Sequence, residues 1–294
     1  MFLKLDPPTS NPQTVCVMHL EASTVVEHES AGGDYRLLTI AAPRIAGEVA
    51  PGQFVSLRLD APADAVLRRP FSVCDAGAGR LTILYKPVGR GTHAMLDLRA
   101  GDRLSLLGPL GHGFPLPPPD APLSAMPVLV AGGYGVAPLY LLARRYPRRG
   151  LLFVGGATGR DILMTSAFAA LGWDVRVATE DGSLGEPGRV TTPLDAWLAA
   201  CEVNGGREFF ACGPTGLLRA VAKRAAAGGD RAWVSLDRHM GCGVGACLAC
   251  VQRLHSDCTC THEDRRDGEK VWGRVCKEGP VFDAANIVWE ETTP

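Results

Sequence analysis

Short runs in which hydrophobic and polar residues alternate fill the first third of the chain. Alternation with a period of two is typical of β-strands that bury one face. Glycine pairs and Pro-Gly or Gly-Asp steps separate the runs, as expected of turns. The pattern predicts strands at residues 14–20, 35–41, 53–59, 70–74, 80–85 and 103–107. Strands of this length and spacing indicate a small antiparallel barrel.

The pattern changes after residues 116–122, a segment too rich in proline for a helix interior or a central strand, which we interpret as a linker. Continuous apolar runs follow at residues 128–131, 151–154, 174–178, 208–211 and 232–236. Helix-compatible stretches separate them, at residues 138–146, 161–171, 193–200 and 215–227. Regular alternation of strand and helix predicts a parallel sheet that is covered on both faces.

Composition narrows the classes of function. The formal net charge of the 294 residues is −1, and no basic run is interleaved with aromatic residues, which argues against a nucleic-acid surface. No run approaches the roughly 20 apolar residues of a membrane helix, and no signal peptide is evident. We therefore expect no membrane span and a cytoplasmic location. In a reducing compartment, ten cysteines indicate metal binding or redox work more than disulfides.

Four cysteines carry the most specific motif. Cys242, Cys247 and Cys250 form a C-x4-C-x2-C run, and Cys276 follows, which is the spacing of a plant-type [2Fe–2S] ligand set. Thiolates suit such clusters, and the glycines between the first three allow a loop to wrap around one.

The stretch before Cys276 contains further candidate ligands. Cys258 and Cys260 could each supply the fourth thiolate, but their C-x-C spacing and polar surroundings indicate an exposed insert, so we expect Cys276 instead. His255 and His262 offer a weaker metal site, against which stands the ordinary interpretation of solvated loop histidines.

Two motifs in the predicted barrel have the chemistry of a flavin site. An arginine can pair with a pyrophosphate, an aromatic ring can lie against an isoalloxazine, and a hydroxyl can bind the polar edge of a flavin. A glycine turn before a short helix can present N–H groups to phosphate. Each motif alone could equally be a surface arginine beside a core ring, or an ordinary turn. The residues in question are Arg69, Pro70, Phe71, Ser72, Leu84, Tyr85, Lys86, Gly91 and Thr92.

Glycine-rich turns in the α/β part predict a nucleotide site. Gly132, Gly133 and Gly135 stand between its first strand and first helix, although they do not form a G-x-G-x-x-G fingerprint. Cys212, Gly213 and Pro214 end a later strand, and ligands of open α/β sheets bind at the carboxyl ends of strands. Cys212 could lie beside a nicotinamide or be a small buried thiol.

The third strand of the α/β part is followed by Glu180 and Asp181. Carboxylates there can accept hydrogen bonds from ribose hydroxyls and would repel a 2′-phosphate, which favours NAD(H) over NADP(H). Arg160 favours NADP(H) instead, because its charge would attract such a phosphate.

In this order, the motifs resemble those of the electron-transfer subunit of class 1B dihydroorotate dehydrogenase, within the ferredoxin reductase-like flavoproteins. The resemblance spans residues 14–288 and includes the segment from Val275 to Phe282 around Cys276. It implies a multidomain β plus α/β protein. We expect an N-terminal tail at 1–12, an antiparallel Greek-key FAD barrel at 13–119, a parallel-sheet NAD domain at 125–236 and a small [2Fe–2S] domain at 237–294.

The resemblance also implies roles and partners. The barrel motifs would bind FAD, and the four cysteines would ligate the cluster. Electrons would pass between NAD, FAD, the cluster and an FMN-containing dihydroorotate dehydrogenase subunit, in a heterotetramer of pyrimidine biosynthesis. Hydride transfer needs no acid–base side chain, so we expect no catalytic residue unless Cys212 contributes. Phe71 departs from the tyrosine of many relatives, and the stretch between Cys250 and Cys276 is longer than usual.

Two alternatives remain open at the level of sequence. The same three cofactor sites would serve an NAD(P)H-oxidising reductase subunit of a hydrogenase, sulfur reductase or transhydrogenase. A non-enzymatic iron–sulfur redox sensor is the alternative of a different class.

Overall fold

A closed antiparallel barrel forms the first part of the chain in the computed structural model, which describes residues 17–59, 67–118, 125–200, 206–255, 266–267 and 270–289. Its strands follow the order β1-β2-β5-β4-β3-β6, and the placement of β2 beside β5 makes it a Greek key. The predicted barrel is confirmed. The strands are β1 His19–Gly32, β2 Tyr35–Ala41, β3 Phe54–Leu59, β4 Arg69–Gly77, β5 Arg80–Tyr85 and β6 Arg103–Leu110.

The first strand shows where the predicted pattern was wrong. We predicted a strand at residues 14–20, of which 14–16 lie outside the described residues, whereas β1 continues to Gly32. Polar residues interrupt the apolar pattern in this stretch, so the pattern did not predict the continuation. The buried Glu21 is one of them, and its carboxylate accepts hydrogen bonds from the backbone N–H groups of Arg44 and Ile45. These two residues lie in the first turn of helix α1, Pro43–Glu48, so the carboxylate caps that helix.

The α/β part is a seven-stranded sheet in the order β10-β9-β8-β7-β11-β12-β16. All its pairs are parallel except β12 with β16. The strands are β7 Met126–Gly132, β8 Leu151–Gly156, β9 Asp174–Thr179, β10 Glu186–Pro187, β11 Arg207–Cys212, β12 Arg231–Ser235 and β16 Val281–Asp283. The helices are α2 Arg90–Ala94 in the barrel part, then α3 Val136–Arg145, α4 Thr165–Ala170, α5 Thr191–Ala200 and α6 Thr215–Gly228.

Successive residues of the central strand β7 enter two different cores. Val128 and Val130 pack in the core that includes residues of α5 and α6, whereas Leu129 and Ala131 pack in the core that includes α3 and α4. A parallel strand buried on both faces needs such a continuous apolar run. The predicted parallel sheet is therefore confirmed.

The C-terminal segment is built into this sheet. Strands β13 Val251–His255, β14 Arg266–Asp267 and β15 Lys270–Arg274 form a separate small sheet in the order β13-β15-β14. Leu254 and Phe282 nevertheless share one core with Phe209 of β11. β16 lies beyond residue 236, where we expected the nucleotide domain to end, yet it pairs with β12 through Val281 and Ser235.

Helix α3 joins the barrel to the α/β sheet. Leu141 of this helix lies in the barrel core, and Arg144 forms an ion pair with Asp75 of β4. On the same side of the barrel, the Tyr35 hydroxyl donates a hydrogen bond of 2.9 Å to Asp161. Within the part of the chain that the structure describes, no helix is both long and apolar enough for a membrane span.

Candidate functional site

The first barrel motif opens strand β4. Ser72 lies opposite Phe54 of β3, and Pro70 lies opposite Ser56. The half-buried Phe71 ring meets the Tyr85 ring edge-on, with 6.0 Å between the ring centroids. The strand pairing therefore fixes the backbone of this motif and leaves its side chains at the edge of the barrel core.

The two expected phosphate-binding elements come together in space. The Arg69 guanidinium lies so close to the backbone of Gly91 that a Cβ on Gly91 would overlap it. Thr92 Oγ1 accepts hydrogen bonds from the N–H groups of Val88 and Gly89, at 2.9 and 3.0 Å, and closes this turn. A guanidinium against the first turn of a short helix suits a pyrophosphate. The donor set thus fits the phosphates of FAD.

Leu84, Tyr85 and Lys86 have different surroundings. Leu84 and Tyr85 are buried, and the Tyr85 hydroxyl bonds His28 Nε2 at 3.0 Å. Burial raises the pKa of Tyr85 to about 12, so this phenol stays protonated. Lys86 is half-buried, with its Nζ 5.0 Å from the centroid of the Tyr35 ring. The cation therefore lies on the side of the barrel that faces the α/β sheet.

A cleft of about 980 Å³ opens at the carboxyl ends of β7, β8, β9 and β11. This is the edge at which an open α/β sheet binds its ligand. Seven of the residues predicted for the nucleotide site line this cleft, and they are Gly132, Gly133, Gly135, Glu180, Cys212, Gly213 and Pro214.

Asp181 does not line the cleft. Its carboxylate accepts hydrogen bonds from the backbone N–H and the hydroxyl of Ser183, at 3.0 and 2.6 Å. These bonds lower the pKa of Asp181. Glu180 is thus the one residue of the predicted acidic pair that faces the cleft.

The two glycine-rich turns pack directly on each other. A Cβ on Gly135 would overlap the carbonyl of Cys212, and one on Gly132 would lie 2.8 Å from Pro214 Cδ. Side chains at either position would push the strands β7 and β11 apart. The motifs that looked independent in the sequence therefore form one floor of the cleft.

Cys212 is a buried thiol at this floor. Burial, with a smaller contribution from the nearby Asp237 carboxylate, raises the pKa of Cys212 to about 12, although a hydrogen bond with Ser235 opposes the shift. The thiol is therefore uncharged near neutral pH. Asp237 also accepts a hydrogen bond of 3.2 Å from the Tyr134 hydroxyl across the mouth of the cleft.

Several cleft residues escaped the sequence interpretation. Tyr35 comes from the barrel and Asp161 from the turn after β8, and 126 positions separate them, so no local pattern could link them. Arg189 and Arg224 also line the cleft. Arg224 is paired with Asp195, its Nη2 lying 2.6 Å from Oδ2. The charged residues predicted for this site, Glu180, Asp181 and Arg160, therefore omitted Asp161, Arg189 and Arg224.

Asp161 also explains why the predicted helix at 161–171 begins late. Its carboxylate accepts hydrogen bonds from Tyr35 and from the N–H and hydroxyl of Thr158, which hold Gly159–Asp161 as a 3₁₀ turn before α4. Burial acts to raise the pKa of Asp161, but these hydrogen bonds and the charge of Lys86 outweigh it and lower the pKa. Asp161 is thus an anion at the junction between barrel and cleft.

Residues 242–250 form a loop, here called the cysteine loop, which directs backbone N–H groups at the sulfur of Cys242. Cys242 Sγ accepts from the N–H groups of Val244, Ala246 and Cys247, at 3.2–3.4 Å. Although burial opposes ionisation, these donors lower the pKa of Cys242 to about 6. N–H groups aimed at a ligand sulfur are the arrangement that supports an iron–sulfur cluster.

Cys276 lies beside the same loop. Its Sγ accepts from Gly245 N at 3.1 Å, and its own N–H points at Cys250 Sγ at 3.4 Å. No three Cys, His, Asp or Glu side chains of the described residues are grouped for a single metal ion. A [2Fe–2S] cluster takes two thiolates on each iron, so such a group is not required. Cys258, Cys260 and His262 lie outside the described residues, and His255 ends β13.

The cysteine loop rests on the barrel near the flavin motif. A Cβ built on Gly243 would lie 3.7 Å from Ser56 Oγ and 3.9 Å from Phe54 Cε2. Ser56 and Phe54 are the β3 partners of Pro70 and Ser72. One strand therefore separates the cluster loop from the predicted FAD residues.

The chain is similar to known proteins over most of its length. Residues 237–288 match the family model described as the iron-sulfur cluster binding domain of dihydroorotate dehydrogenase B. Over 273 residues the chain is 38% identical to the dihydroorotate dehydrogenase B (NAD(+)) electron transfer subunit of Geobacillus thermodenitrificans, which covers 91% of this chain and 98% of that protein. The equivalent subunit of Bacillus caldolyticus is 41% identical over 243 residues, covering 81% and 86%.

Solved structures share the fold. The NADH-dependent reduced ferredoxin-NADP oxidoreductase, described in connection with flavin-based electron bifurcation, aligns with a TM-score of 0.74 at 26% identity, over 92% of this chain and 90% of that one. A cytochrome P450 reductase from Amycolatopsis aligns with a TM-score of 0.59 at 26% identity, over 72% and 67%.

Proposed function

Because the chain belongs to the family of dihydroorotate dehydrogenase B electron transfer subunits, we propose that it carries electrons between a partner flavoprotein and NAD, through a [2Fe–2S] cluster and FAD. It is an oxidoreductase subunit of pyrimidine biosynthesis. The partner is an FMN-containing dihydroorotate dehydrogenase, which oxidises dihydroorotate itself, and the two form a heterotetramer. Its location in the cytoplasm stays a prediction.

One observation carries the proposal, namely that the three candidate sites adjoin one another. The cluster loop lies against β3, and β3 pairs with the flavin motif on β4. The barrel is tied to the nucleotide cleft through Tyr35 and Asp161. Adjacent sites are what sequential electron transfer needs, whereas an iron–sulfur sensor would need no nucleotide cleft.

The residues of the chain supply position and electrostatics. FAD exchanges a hydride with NAD and single electrons with a one-electron carrier, so the protein need only hold the groups in order. Arg69 and the turn at Gly91 would hold the FAD phosphates, and Phe71 and Ser72 would line its ring. The N–H groups around Cys242 would support the cluster.

At the other end of the path, the glycine floor of the cleft would let a nucleotide approach the backbone. Glu180 would accept hydrogen bonds from ribose hydroxyls. Cys212, uncharged and buried, would give a bound nicotinamide an apolar neighbour without an acid–base role. We therefore assign Cys212 no proton transfer in the hydride step.

The proposal is tested with the purified chain and an FMN-containing dihydroorotate dehydrogenase. NAD+ reduction that depends on dihydroorotate is followed at the absorbance of NADH, and we expect a rate only when both proteins are present. The partner alone and the chain alone are the controls. A mixture no faster than the partner alone would contradict the assignment.

The likeness to the NADH-dependent reduced ferredoxin-NADP oxidoreductase supports the alternative of a transhydrogenase subunit less strongly, since its identity is 26% against 38–41% for the dihydroorotate dehydrogenase relatives. NADH-dependent dye reduction by the chain alone would distinguish both enzymatic functions, the dihydroorotate dehydrogenase subunit and the transhydrogenase subunit, from a redox sensor. A sensor is not expected to catalyse this reaction.

A further inference from the structure

A buried ion pair encloses the turn that carries Cys276. Arg274 lies two residues before the cysteine and Glu278 two residues after it. Arg274 Nη2 is 2.5 Å from Glu278 Oε1, and the Arg274 backbone N–H donates to Glu278 Oε2 at 2.6 Å. Their side chains are only 14% and 6% exposed. The pair therefore closes the turn in a place that water scarcely reaches.

The same guanidinium reaches across to the other cysteine loop. Arg274 Nη1 donates a hydrogen bond of 2.9 Å to the carbonyl of Gly245, which lies between Cys242 and Cys247. Gly245 N in turn donates to Cys276 Sγ. Gly245 is thus bound at both backbone groups, since its carbonyl accepts from Arg274 and its N–H donates to the sulfur of Cys276.

Gly245 cannot be exchanged easily at this position. Its φ of +83° is unfavourable for residues with a side chain, and a Cβ would lie 2.9 Å from Lys277 Cδ and 3.2 Å from Arg274 Nη1. The loop is therefore built to approach the Arg274–Glu278 pair closely.

The pair also places two compensating charges beside the thiol set. The reduction potential of an iron–sulfur centre depends on the net charge and the hydrogen bonds around it. Removing one member of a buried pair leaves the other charge uncompensated. Each member should therefore move the potential of a nearby cluster when it is neutralised, and in opposite directions.

We propose that Arg274 and Glu278 are positioning residues that clamp the Cys276 turn to the Cys242–Cys247 loop and set the reduction potential of the cluster. This inference rests on the cluster of the proposed function. It adds residues outside the ligand set that determine how readily the cluster accepts an electron.

The test measures the cluster potential of the isolated full chain by a redox titration monitored by electron paramagnetic resonance. We expect E278Q to shift the midpoint to more positive values, because the Arg274 charge then stabilises the reduced cluster. We expect R274Q to shift it to more negative values and to lower the iron and sulfide content per chain, since the bond to Gly245 is lost as well.

The chain offers a matched control in a second buried pair. Arg207 Nε lies 2.8 Å from Asp230 Oδ2, with side chains 18% and 5% exposed. This pair lies at the amino ends of β11 and β12, whereas the Cys276 turn leads into β16 at the carboxyl end of β12. D230N should destabilise the fold and leave the cluster potential unchanged.

The outcomes separate this inference from the function beneath it. Wild-type potentials in both R274Q and E278Q, or shifts of the same sign, would contradict the proposed role of the Arg274–Glu278 clamp and leave the proposed function standing. If E278Q fails to hold the cluster, recovery in E278D supports the clamp, and equal loss in E278D contradicts it. A wild-type chain that binds no cluster after anaerobic reconstitution overturns the proposed function, and the clamp with it.

Discussion

At the scale of residues, Cys276, which we predict to be the fourth cluster ligand, makes two contacts with the loop that carries the other three cysteines. Cys276 Sγ accepts from Gly245 N, and its own N–H points at Cys250 Sγ. Spacing along the chain left Cys258 and Cys260 as competitors, because an insert of unknown path can return a residue from anywhere. Contacts of this kind favour Cys276 without any appeal to spacing.

We expect C276S to lose the visible absorbance of the cluster and most of its iron, because serine oxygen is a poor substitute for a thiolate ligand. C258S and C260S are the matched controls and should keep both signals. Loss of the cluster in C258S or C260S, with retention in C276S, would reverse the choice of ligand.

Glu180 offers a second prediction at this scale. E180A should reduce the preference of the chain for NADH over NADPH by roughly tenfold in kcat/KM, equivalent to about 1.4 kcal/mol, since one repulsive charge is removed. D181A has the same change of charge, but the Asp181 carboxylate is bound by Ser183 outside the cleft and should have little effect. Equal effects of both variants would count against a specific role for Glu180.

At the scale of elements, the contact between β2 and the turn after β8 joins the barrel to the nucleotide cleft. Tyr35 donates a hydrogen bond to Asp161. Gly33, in the hairpin before Tyr35, lies so close to the Arg160 carbonyl that a Cβ at this position would be 3.1 Å from its oxygen. Burial and the Asp161 carboxylate raise the pKa of Tyr35, so the phenol remains a donor at all ordinary pH values.

We expect Y35F to raise the KM for NADH in dye reduction and to lower the free energy of unfolding by about 1.5–3 kcal/mol, the usual contribution of a hydrogen bond to a charged group. FAD content should not change. Y146F is the matched control, because Tyr146 donates to Glu208 at 3.0 Å within the α/β part. It should cost similar stability, measured by urea denaturation, and leave the KM unaltered. A KM that rises equally in both variants would deny the junction a special role.

At the scale of the whole molecule, the C-terminal segment and the α/β sheet share one core. Leu254, Val271 and Phe282 pack with Phe209 and Val234, and β16 extends the sheet beside β12. A change in the cysteine loops should therefore reach the sheet, because packed cores transmit strain.

Removal of iron by anaerobic chelation should lower the unfolding temperature of the whole chain, since a ligand that binds only the folded state stabilises it. We expect the α/β signal in far-UV circular dichroism and the tryptophan fluorescence to shift together. Two separate transitions, with the α/β transition unmoved by chelation, would show that the segment is energetically independent.

The sequence by itself determined the kinds of element and the kinds of chemistry. Alternating and continuous apolar runs gave the barrel and the parallel sheet, because side-chain burial has a period set by the backbone. The cysteine spacing and the glycine turns indicated their cofactors, because few residue types can bind a cofactor from a tight loop.

Only the tertiary structure decided which distant residues meet. It brought Arg69 onto Gly91, Tyr35 onto Asp161 and Arg274 onto Gly245, and it turned Asp181 away from the cleft. It also added β16 to a sheet whose other strands come from much earlier in the chain. Such contacts follow from how whole elements pack, and no local period or spacing records them.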